Sequence, residues 1–323
     1  MGSKKFLIPD GIEYYIAENA HTFELFRSEI LKIFKKYKYQ FVSTPVIDSL
    51  ANLCNLNGKS LKNITTPLLY NSDLAIRADI TPQVTRIDYQ NYHANSSNKY
   101  AYMGDIYRES SSPFDRKNSF QVGAEFFGNV DDMIDISLIR MCHEIISLGK
   151  PKKMLIEIND SYFINNYLSK IKINKDDKDL LIELIGYKSI YEIKDLFTKL
   201  KIGKTRLTEL VELISLIGDA SVFNDITNFS KRYNYKSSAH IKSLKNISSK
   251  LSNMKHSTIS VDLCAFKSMD YETGFNYTIY TDNHRLPIAV GGRYDAYTND
   301  DNSVRRATGF SLDLKDIMSI YEK

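Results

Sequence analysis

The chain has 323 residues, of which 43% are hydrophobic and 25% charged, enough to bury one large core or to split into a main domain with a smaller insert. Its formal charge of +4 comes from 43 basic and 39 acidic side chains spread along the whole length, a balance that permits contact with nucleic acid without arguing for it. Three separated cysteines, Cys54, Cys142 and Cys264, form no Cys-x-x-Cys pair, which argues against a disulfide framework and a zinc centre and reads as three buried thiols. No run of about 18 uncharged apolar residues could span a bilayer, and the start MGSKKFLIPDG lacks the apolar segment of a secretory signal, so the expected place is the cytoplasm and no membrane is involved.

From Phe23 to Tyr37 apolar residues recur at steps of three and four, which predicts an amphipathic helix. Tyr39 to Ile47 follows as one extended run, with Pro45 marking an edge or strand end because proline donates nothing to a sheet ladder. Leu68-Leu69-Tyr70 and Leu74-Ala75-Ile76 read as a hairpin turning at Asn71-Ser72-Asp73. Thr81-Pro82 then opens a helix with Thr81 as cap, which puts Arg77 and Asp79 at a strand-to-helix mouth. Tyr102 to Tyr107 and Phe120 to Phe127 are strand-like, and a helix runs from Asp131 or Asp132 to about Leu148, with Gly149 as its stop.

Between about residues 160 and 255 the texture changes to Leu, Ile and Lys, a helical insert with runs at 176–186, 190–200, 207–217 and 241–251 and with Gly203 and Gly218 at helix ends. Strand chemistry returns at 259–266, 275–280 and 288–290. Strands bracketing a helical block predict an α+β fold, an antiparallel sheet flanked by helices. Neither the GxxxxGK[ST] loop nor the GxGxxG fingerprint occurs, so the two common nucleotide folds are unsupported.

Four clusters place charged or glycine residues where the surrounding chain calls for strands: Arg77-Ala78-Asp79-Ile80-Thr81 with Arg86; Gly104 to Glu109 with Gln121-Val122-Gly123-Ala124-Glu125; Asp270 to Phe275; and Gly291-Gly292-Arg293-Tyr294-Asp295. Alternation puts Gln121, Gly123 and Glu125 on one face, with space beside Gly123 for a small ligand. The double glycine allows a close backbone approach or a positive φ before Arg293, a way to floor a pocket. Asp79, Gln121 and Glu125 suit an ammonium and an imidazole, and Arg108 a carboxylate, the groups an amino acid carries. Each cluster alone reads more readily as a surface salt bridge or a turn than as a site.

In order and spacing, however, these segments resemble the class II histidyl-tRNA synthetase family over nearly the whole chain. The helix and strand ending at Pro45 are similar to its dimer-forming first motif, Arg77 to Arg86 to its arginine-acid-threonine segment, and Tyr107-Arg108 with Gln121 to Glu125 to its second motif. Lys267 to Thr273 is similar to its histidine-specific segment, Gly291 to Asp295 to its glycine-glycine-arginine-tyrosine-aspartate signature, and Ala307 to Leu312 to its third motif. The resemblance implies a class II catalytic core over residues 1–323, interrupted by the insert. It also implies a histidine site formed by Asp79, Ile80, Thr81, Arg108, Gln121, Glu125, Tyr271 and Glu272. Arg108 could equally pair with Glu109 or Asp105, and Tyr271 could be plain core.

The synthetase pattern then fails where the nucleotide is held. Arginines neutralise charge developing on a phosphate, yet the histidine-specific segment begins with Lys267 followed by Ser268-Met269, its second tyrosine is Glu272, and Asp316 or a neighbour stands at the third-motif arginine. Ser110 to Arg116 replaces the arginine-rich second-motif loop, and no length remains after Lys323 for an anticodon-binding domain. This combination resembles the regulatory subunits of ATP phosphoribosyltransferase, which implies no catalysis, no cofactor and no metal. It implies histidine as effector, a homodimer within a hetero-oligomer, and a short-form ATP phosphoribosyltransferase catalytic subunit as partner, with tRNA not expected. The competing reading is a truncated synthetase-like enzyme that activates an amino acid for another acceptor.

Overall fold

The computed structural model describes residues 9–321 apart from 57–58, 61–63, 94–95, 109–115, 266–271 and 299–302. It forms two compact units, one made of residues 1–130, 137–151 and 295–323 and the other of residues 131–136 and 152–294.

Helix α1 (Ala17–Lys36) buries Phe26, Ile30, Ile33 and Phe34 on one face. It begins before the predicted Phe23, because the apolar stripe reveals only the turns that face the core. The extended run that follows splits into β1 (Gln40–Val42) and β2 (Ile47–Ser49), in different sheets. The break at Thr44-Pro45 frees two carbonyls that accept hydrogen bonds from Arg77 Nη1, at 2.9 and 3.4 Å. After α2 (Leu50–Leu53), β3 (Asn55–Leu56) and β4 (Lys59–Ser60), the hairpin β5 (Thr66–Leu68) and β6 (Asn71–Ile76) turns at Leu69-Tyr70 rather than at Asn71–Asp73. Register decides this: Ile47 must face Ile76 and Ser49 must face Leu74, which leaves Leu69 and Tyr70 at the tip, 88% and 98% exposed.

Helix α3 (Thr81–Gln90) leads into the long antiparallel pair β7 (Asn98–Tyr107) and β8 (Asn118–Phe127). Helix α4 (Asp132–Ile146) starts under Asp131, whose Oδ1 accepts from the Met133 and Ile134 amides at 2.9 Å. It runs into a 3-10 turn closed by Lys150 in the left-handed conformation, φ 54°. Gly149 is not the stop; it is needed because a Cβ there would lie 2.8 Å from the Ile317 carbonyl oxygen.

The second unit continues with β9 (Met154–Asp160), α5 (Tyr162–Ser169), α6 (Lys175–Gly186), α7 (Ile190–Lys199), α8 (Lys204–Ser215), β10 (Ile217–Gly218), α9 (Val222–Arg232), α10 (Ser238–Leu251), β11 (Ser257–Asp262), β12 (Glu272–Thr281) and β13 (Ala289–Thr298). Helices α5 and α9 were not predicted. In α9 the buried Val222, Phe223, Ile226 and Phe229 are interleaved with Asn, Asp, Thr and Ser, which favour turns and mask the stripe. Gly203 caps the start of α8 instead of ending α7. Glu209, fully buried, is met by Lys170 at 2.8 Å, Arg206 at 2.6 Å and the Tyr235 hydroxyl at 3.0 Å. Strand β14 (Val304–Asp313) and helix α11 (Leu314–Tyr321) return to the first unit.

In the first unit the strands lie in the order β1-β7-β8-β14, and in the second β13-β12-β9-β11-β10, with residues 295–298 of β13 counted in the first unit. The antiparallel expectation holds for most pairs, but β1 runs parallel to β7 and β11 parallel to β9, so the strands are mixed. A parallel neighbour needs a long crossover, and the helical block supplies one between β9 and β11. Cys142 and Cys264 are buried, which pushes both thiols up, whereas Cys54 is only half-buried, against the reading of three buried thiols. Among the described residues no helix is long and apolar enough to cross a membrane.

One buried ion pair in the first unit was not legible in the sequence. Arg305, 5% exposed, donates Nε to Asp88 Oδ2 at 2.9 Å and Nη2 to Oδ1 at 3.2 Å, while Asp88, fully buried, also accepts from the Tyr297 hydroxyl at 2.7 Å. Asp88→Ala leaves the guanidinium buried without its anion and is expected to cost about 3–5 kcal/mol, read as a lower urea midpoint. Asp88→Leu combined with Arg305→Met should recover most of that loss.

Candidate functional site

The chain leaves β6 at Ile76 and enters α3 at Thr81, and the four residues between are held on both sides. The Arg77 amide donates to the Val46 carbonyl at 3.0 Å, and the Tyr107 amide donates to the Arg77 carbonyl at 2.9 Å. The Arg77 side chain, 2% exposed, donates Nε to the Asp105 carbonyl at 2.7 Å and Nη1 to Thr44 Oγ1 at 2.7 Å. It crosses Gly104, where a Cβ would stand 2.2 Å from Nη2. Burial pulls the Arg77 pKa down, against the charges of Asp105 and Asp79. Arg77 is therefore a bolt that fixes the mouth, with its donors turned to the backbone.

Asp79 is 2% exposed. Its Oδ1 accepts from the Thr81 amide at 3.0 Å and from Gln121 Nε2 at 2.9 Å, and Gln121 Oε1 accepts from the Ile80 amide at 2.9 Å. Asp79 thus takes the capping role assigned to Thr81, which lies inside the helix after Ile80. Asp79 Oδ2 is buried and has no hydrogen-bond partner among the described residues. A buried carboxylate oxygen left unmet costs about 1–3 kcal/mol or more, so this atom is open to a further donor.

The Thr81 hydroxyl donates to Glu125 Oε1 at 3.2 Å, as does the Tyr102 hydroxyl at 3.2 Å, and the two hydroxyls lie 3.1 Å apart. Tyr102 fills the space beside Gly123: the two are paired across β7 and β8, and a Cβ at Gly123 would lie 2.4 Å from the phenol oxygen. The space predicted for a ligand is therefore occupied by the protein's own tyrosine, which sequence reasoning missed. A tyrosine directly across from a glycine was the available signal. Glu125, 3% exposed, has a second glycine of its own, for a Cβ at Gly309 would fall 1.8 Å from Oε2. Asp79, Thr81, Gln121 and Glu125 are accordingly brought together, with Ile80 contributing its amide.

Arg108 is half-buried and donates Nε to the Ala78 carbonyl at 2.9 Å, so it sits against the same mouth. Tyr271, Lys267 and Glu109 lie outside the described residues. Glu272 opens β12 in the second unit, paired in register with Tyr294, and its side chain also lies outside them. Gly292 does serve a close approach, with a Cβ there 2.6 Å from Asn276 Cβ, and it has no positive φ. Arg293 bonds Asp135 through Nε at 2.8 Å and Asp132 through Nη2 at 3.0 Å.

At the end of β14, Asp313 accepts from the Phe120 amide at 3.1 Å and from the Lys315 amide at 3.0 Å through Oδ1, and pairs with Arg116 through Oδ2 at 3.1 Å. Asp316, in the first turn of α11, binds the same Arg116 Nη1, and Glu13 takes its Nε at 2.9 Å. Burial works against the Arg116 charge, but Asp316, Asp313 and Glu13 prevail and hold it protonated well above its ordinary range. Burial and the Asp316 charge push Asp313 up, with Arg116 opposing. Asp316 is thus not a bare acid in the third motif but one arm of an arginine clamp.

A profile of the family described as histidyl-tRNA synthetase matches residues 11–317. A protein of Methylococcus capsulatus named ATP phosphoribosyltransferase regulatory subunit is 25% identical over 321 residues, covering 98% of this chain and 79% of that protein. The solved structure of an ATP phosphoribosyltransferase regulatory subunit/histidyl-tRNA synthetase from Bacillus halodurans superposes with a TM-score of 0.81 at 18% identity, over 98% of this chain and 83% of that one. A chain of the ATP phosphoribosyl transferase (HisG:HisZ) complex from Thermotoga maritima gives 0.66 at 19% identity, over 90% and 96%. At these identities the structural likeness is one of fold, that of a class II synthetase core.

Gly309→Ala should evict the Glu125 carboxylate from its place while leaving Asp79 and Gln121 locked. The expected result is a destabilisation of about 1–3 kcal/mol, read as a lower urea midpoint, and an unchanged midpoint would show that the carboxylate is not fixed against Gly309.

Proposed function

Because the chain belongs to the histidyl-tRNA synthetase family and holds two buried carboxylates at the mouth of α3, we propose that it is the regulatory subunit of ATP phosphoribosyltransferase. In that role it does not catalyse; it binds histidine and adjusts a separate catalytic subunit, which joins ATP to phosphoribosyl pyrophosphate in the first step of histidine synthesis. The carrying observation is Asp79 Oδ2, a buried carboxylate oxygen without a partner among the described residues. A primary ammonium brings three donors and a positive charge. Set between Asp79 and Glu125 it would offset the desolvation of both, adding a charged donor to the neutral ones of Thr81, Tyr102 and Gln121. Arg108, anchored at Ala78, is the cation for the amino acid's carboxylate.

Support for the partner comes from the relatives so named and from the complex in which a similar chain occurs. Feedback then requires that histidine bind one state of the assembly better than another, by about 1–3 kcal/mol of coupling. A homodimer within that assembly is supported by Phe41, Val46 and Ile47, which are 45%, 43% and 46% exposed on β1, β2 and the link between them.

Calorimetric titration of histidine is expected to give saturable binding that weakens about ten- to a hundredfold in Glu125→Gln, the consequence of losing one charge-assisted hydrogen bond of about 1.5–3 kcal/mol. Equal affinities, or no heat from the folded protein, would remove this pocket. The isolated chain should not exchange pyrophosphate into ATP with histidine present, and should form a complex with the short catalytic subunit of its own organism and make its rate histidine-sensitive. Histidine-dependent exchange would instead restore the synthetase-like reading.

A further inference from the structure

The run from Phe41 to Ile47 has two faces, both within the first unit. Outward it shows apolar side chains: Phe41, Val46 and Ile47 are each nearly half exposed, and Pro45 is exposed beside them. The seven residues Phe-Val-Ser-Thr-Pro-Val-Ile carry no charge, so the run meets no repulsion from its own copy, as an isologous contact requires. Inward, three of the same residues give their carbonyls to the segment that leads to Asp79. The Val46 carbonyl accepts the Arg77 amide, and the Thr44 and Pro45 carbonyls accept Arg77 Nη1. The ladder of β2 on β6, with Ile47 facing Ile76, ends one residue before Arg77.

Gln83, in the first turn of α3 and almost fully buried, ties these pieces together. Its Oε1 accepts from Arg77 Nη1 at 3.3 Å, and its Nε2 donates to the Pro45 carbonyl at 2.9 Å and to Asp48 Oδ2 at 3.1 Å. Asp48 also takes Arg86 Nη2, one turn further along α3, and its Oδ1 accepts the Ser49 amide at 2.7 Å. Burial works against the Asp48 charge, but Arg86, Gln83 and the Ser49 amide prevail and pull its pKa down to about 2. One amide and one carboxylate thus join the inner side of the run to the helix that begins at Thr81. A buried donor or acceptor is costly to leave unmet, so the run and the first turn of α3 shift together or not at all. Asp79, whose Oδ1 accepts the Thr81 amide, lies between the two points of attachment, Arg77 and Gln83.

We propose that Gln83 and Asp48 are positioning residues for the amino-acid site, joining it to the outward run so that histidine binding and the covering of that run by a second copy of the chain favour each other. This rests on the proposed function, for both the amino acid and the homodimer. Neither residue has to touch the ligand; they act through Arg77 and the start of α3. Linkage makes the effect reciprocal: the factor by which dimerisation tightens histidine binding is the factor by which histidine tightens the dimer.

The test uses the full chain, with histidine affinity read by calorimetry and self-association by sedimentation equilibrium with and without histidine. Val46→Asp, which puts a charge in the outward run and keeps the Val46 carbonyl, supplies the monomer. Histidine is expected to bind the wild-type dimer at least about fivefold more tightly than this monomer, and to tighten the dimer by a like factor where its dissociation is measurable. In Gln83→Met and in Asp48→Asn both binding and dimerisation should persist while the factor falls below about twofold. A merely structural role would weaken both affinities and leave the factor unchanged. Arg86→Met, whose side chain is 34% exposed, should lower the factor less and keeps the test decisive if the buried variants do not melt cooperatively. The proposal is overturned if the folded monomer binds histidine as tightly as the dimer, or if the folded variants keep the wild-type factor. Absence of histidine binding in wild type sinks the proposed function, and a wild-type monomer at every concentration sinks the homodimer; either takes this inference with it. An equal affinity of dimer and monomer with both readings intact sinks this inference alone.

Discussion

A carboxylate taken out of water must be met by donors, and much of the first unit is arranged around meeting two of them. Asp79 and Glu125 come from elements far apart in the chain, the link before α3 and the strand β8, and both are almost fully buried. Thr81 joins them, giving its amide to one and its hydroxyl to the other. Gln121 and Tyr102 supply further neutral donors, and each is placed by the β7 and β8 register. Donors without charge satisfy the geometry of a carboxylate but not the whole of its desolvation, so the depth at which these two acids are held is a cost that the rest of the unit carries.

The arginines show the opposite arrangement. Arg305 is closed by Asp88, Arg293 by Asp132 and Asp135, Arg116 by Asp313 and Asp316, and Arg77 by backbone carbonyls and Thr44. In a synthetase-like core arginines are the natural partners of phosphate; here these four are engaged within their own units. Apart from Asp88 in the last turn of α3, the acids that hold them sit at a strand end or in a helix's first turn, where a negative charge is favoured, as with Asp132 in α4 and Asp316 in α11.

The sequence made the grouping of four candidate residues legible better than the shape they take. Order and spacing brought out Asp79, Thr81, Gln121 and Glu125, and the strands and helices carrying them, because these are local patterns of alternation and capping. It could not show that Asp79 rather than Thr81 receives the helix amide, since both types cap and only the path after Ile76 chooses between them. Nor could it show Tyr102 filling the room beside Gly123, or Asp88 closing on Arg305, because these depend on pairing between distant segments. The hairpin tip went the same way: turn chemistry favoured Asn71-Ser72-Asp73, but the ladder with β2 placed Leu69 and Tyr70 there. The parallel pairs likewise follow from crossovers that periodicity does not record.

Gly104, Gly123 and Gly309 lie in extended strands with ordinary backbone angles, so none is there for a turn. Each is required because the place of its missing Cβ is taken, by Arg77, Tyr102 and Glu125 in turn. Any single-base missense change in a glycine codon yields a residue that carries a Cβ, and none yields anything smaller. These three codons therefore have no conservative neighbour in the genetic code. A saturation library selected for folded, ligand-binding protein should return them as empty columns, marking the site through three residues that contribute no side-chain atom to it.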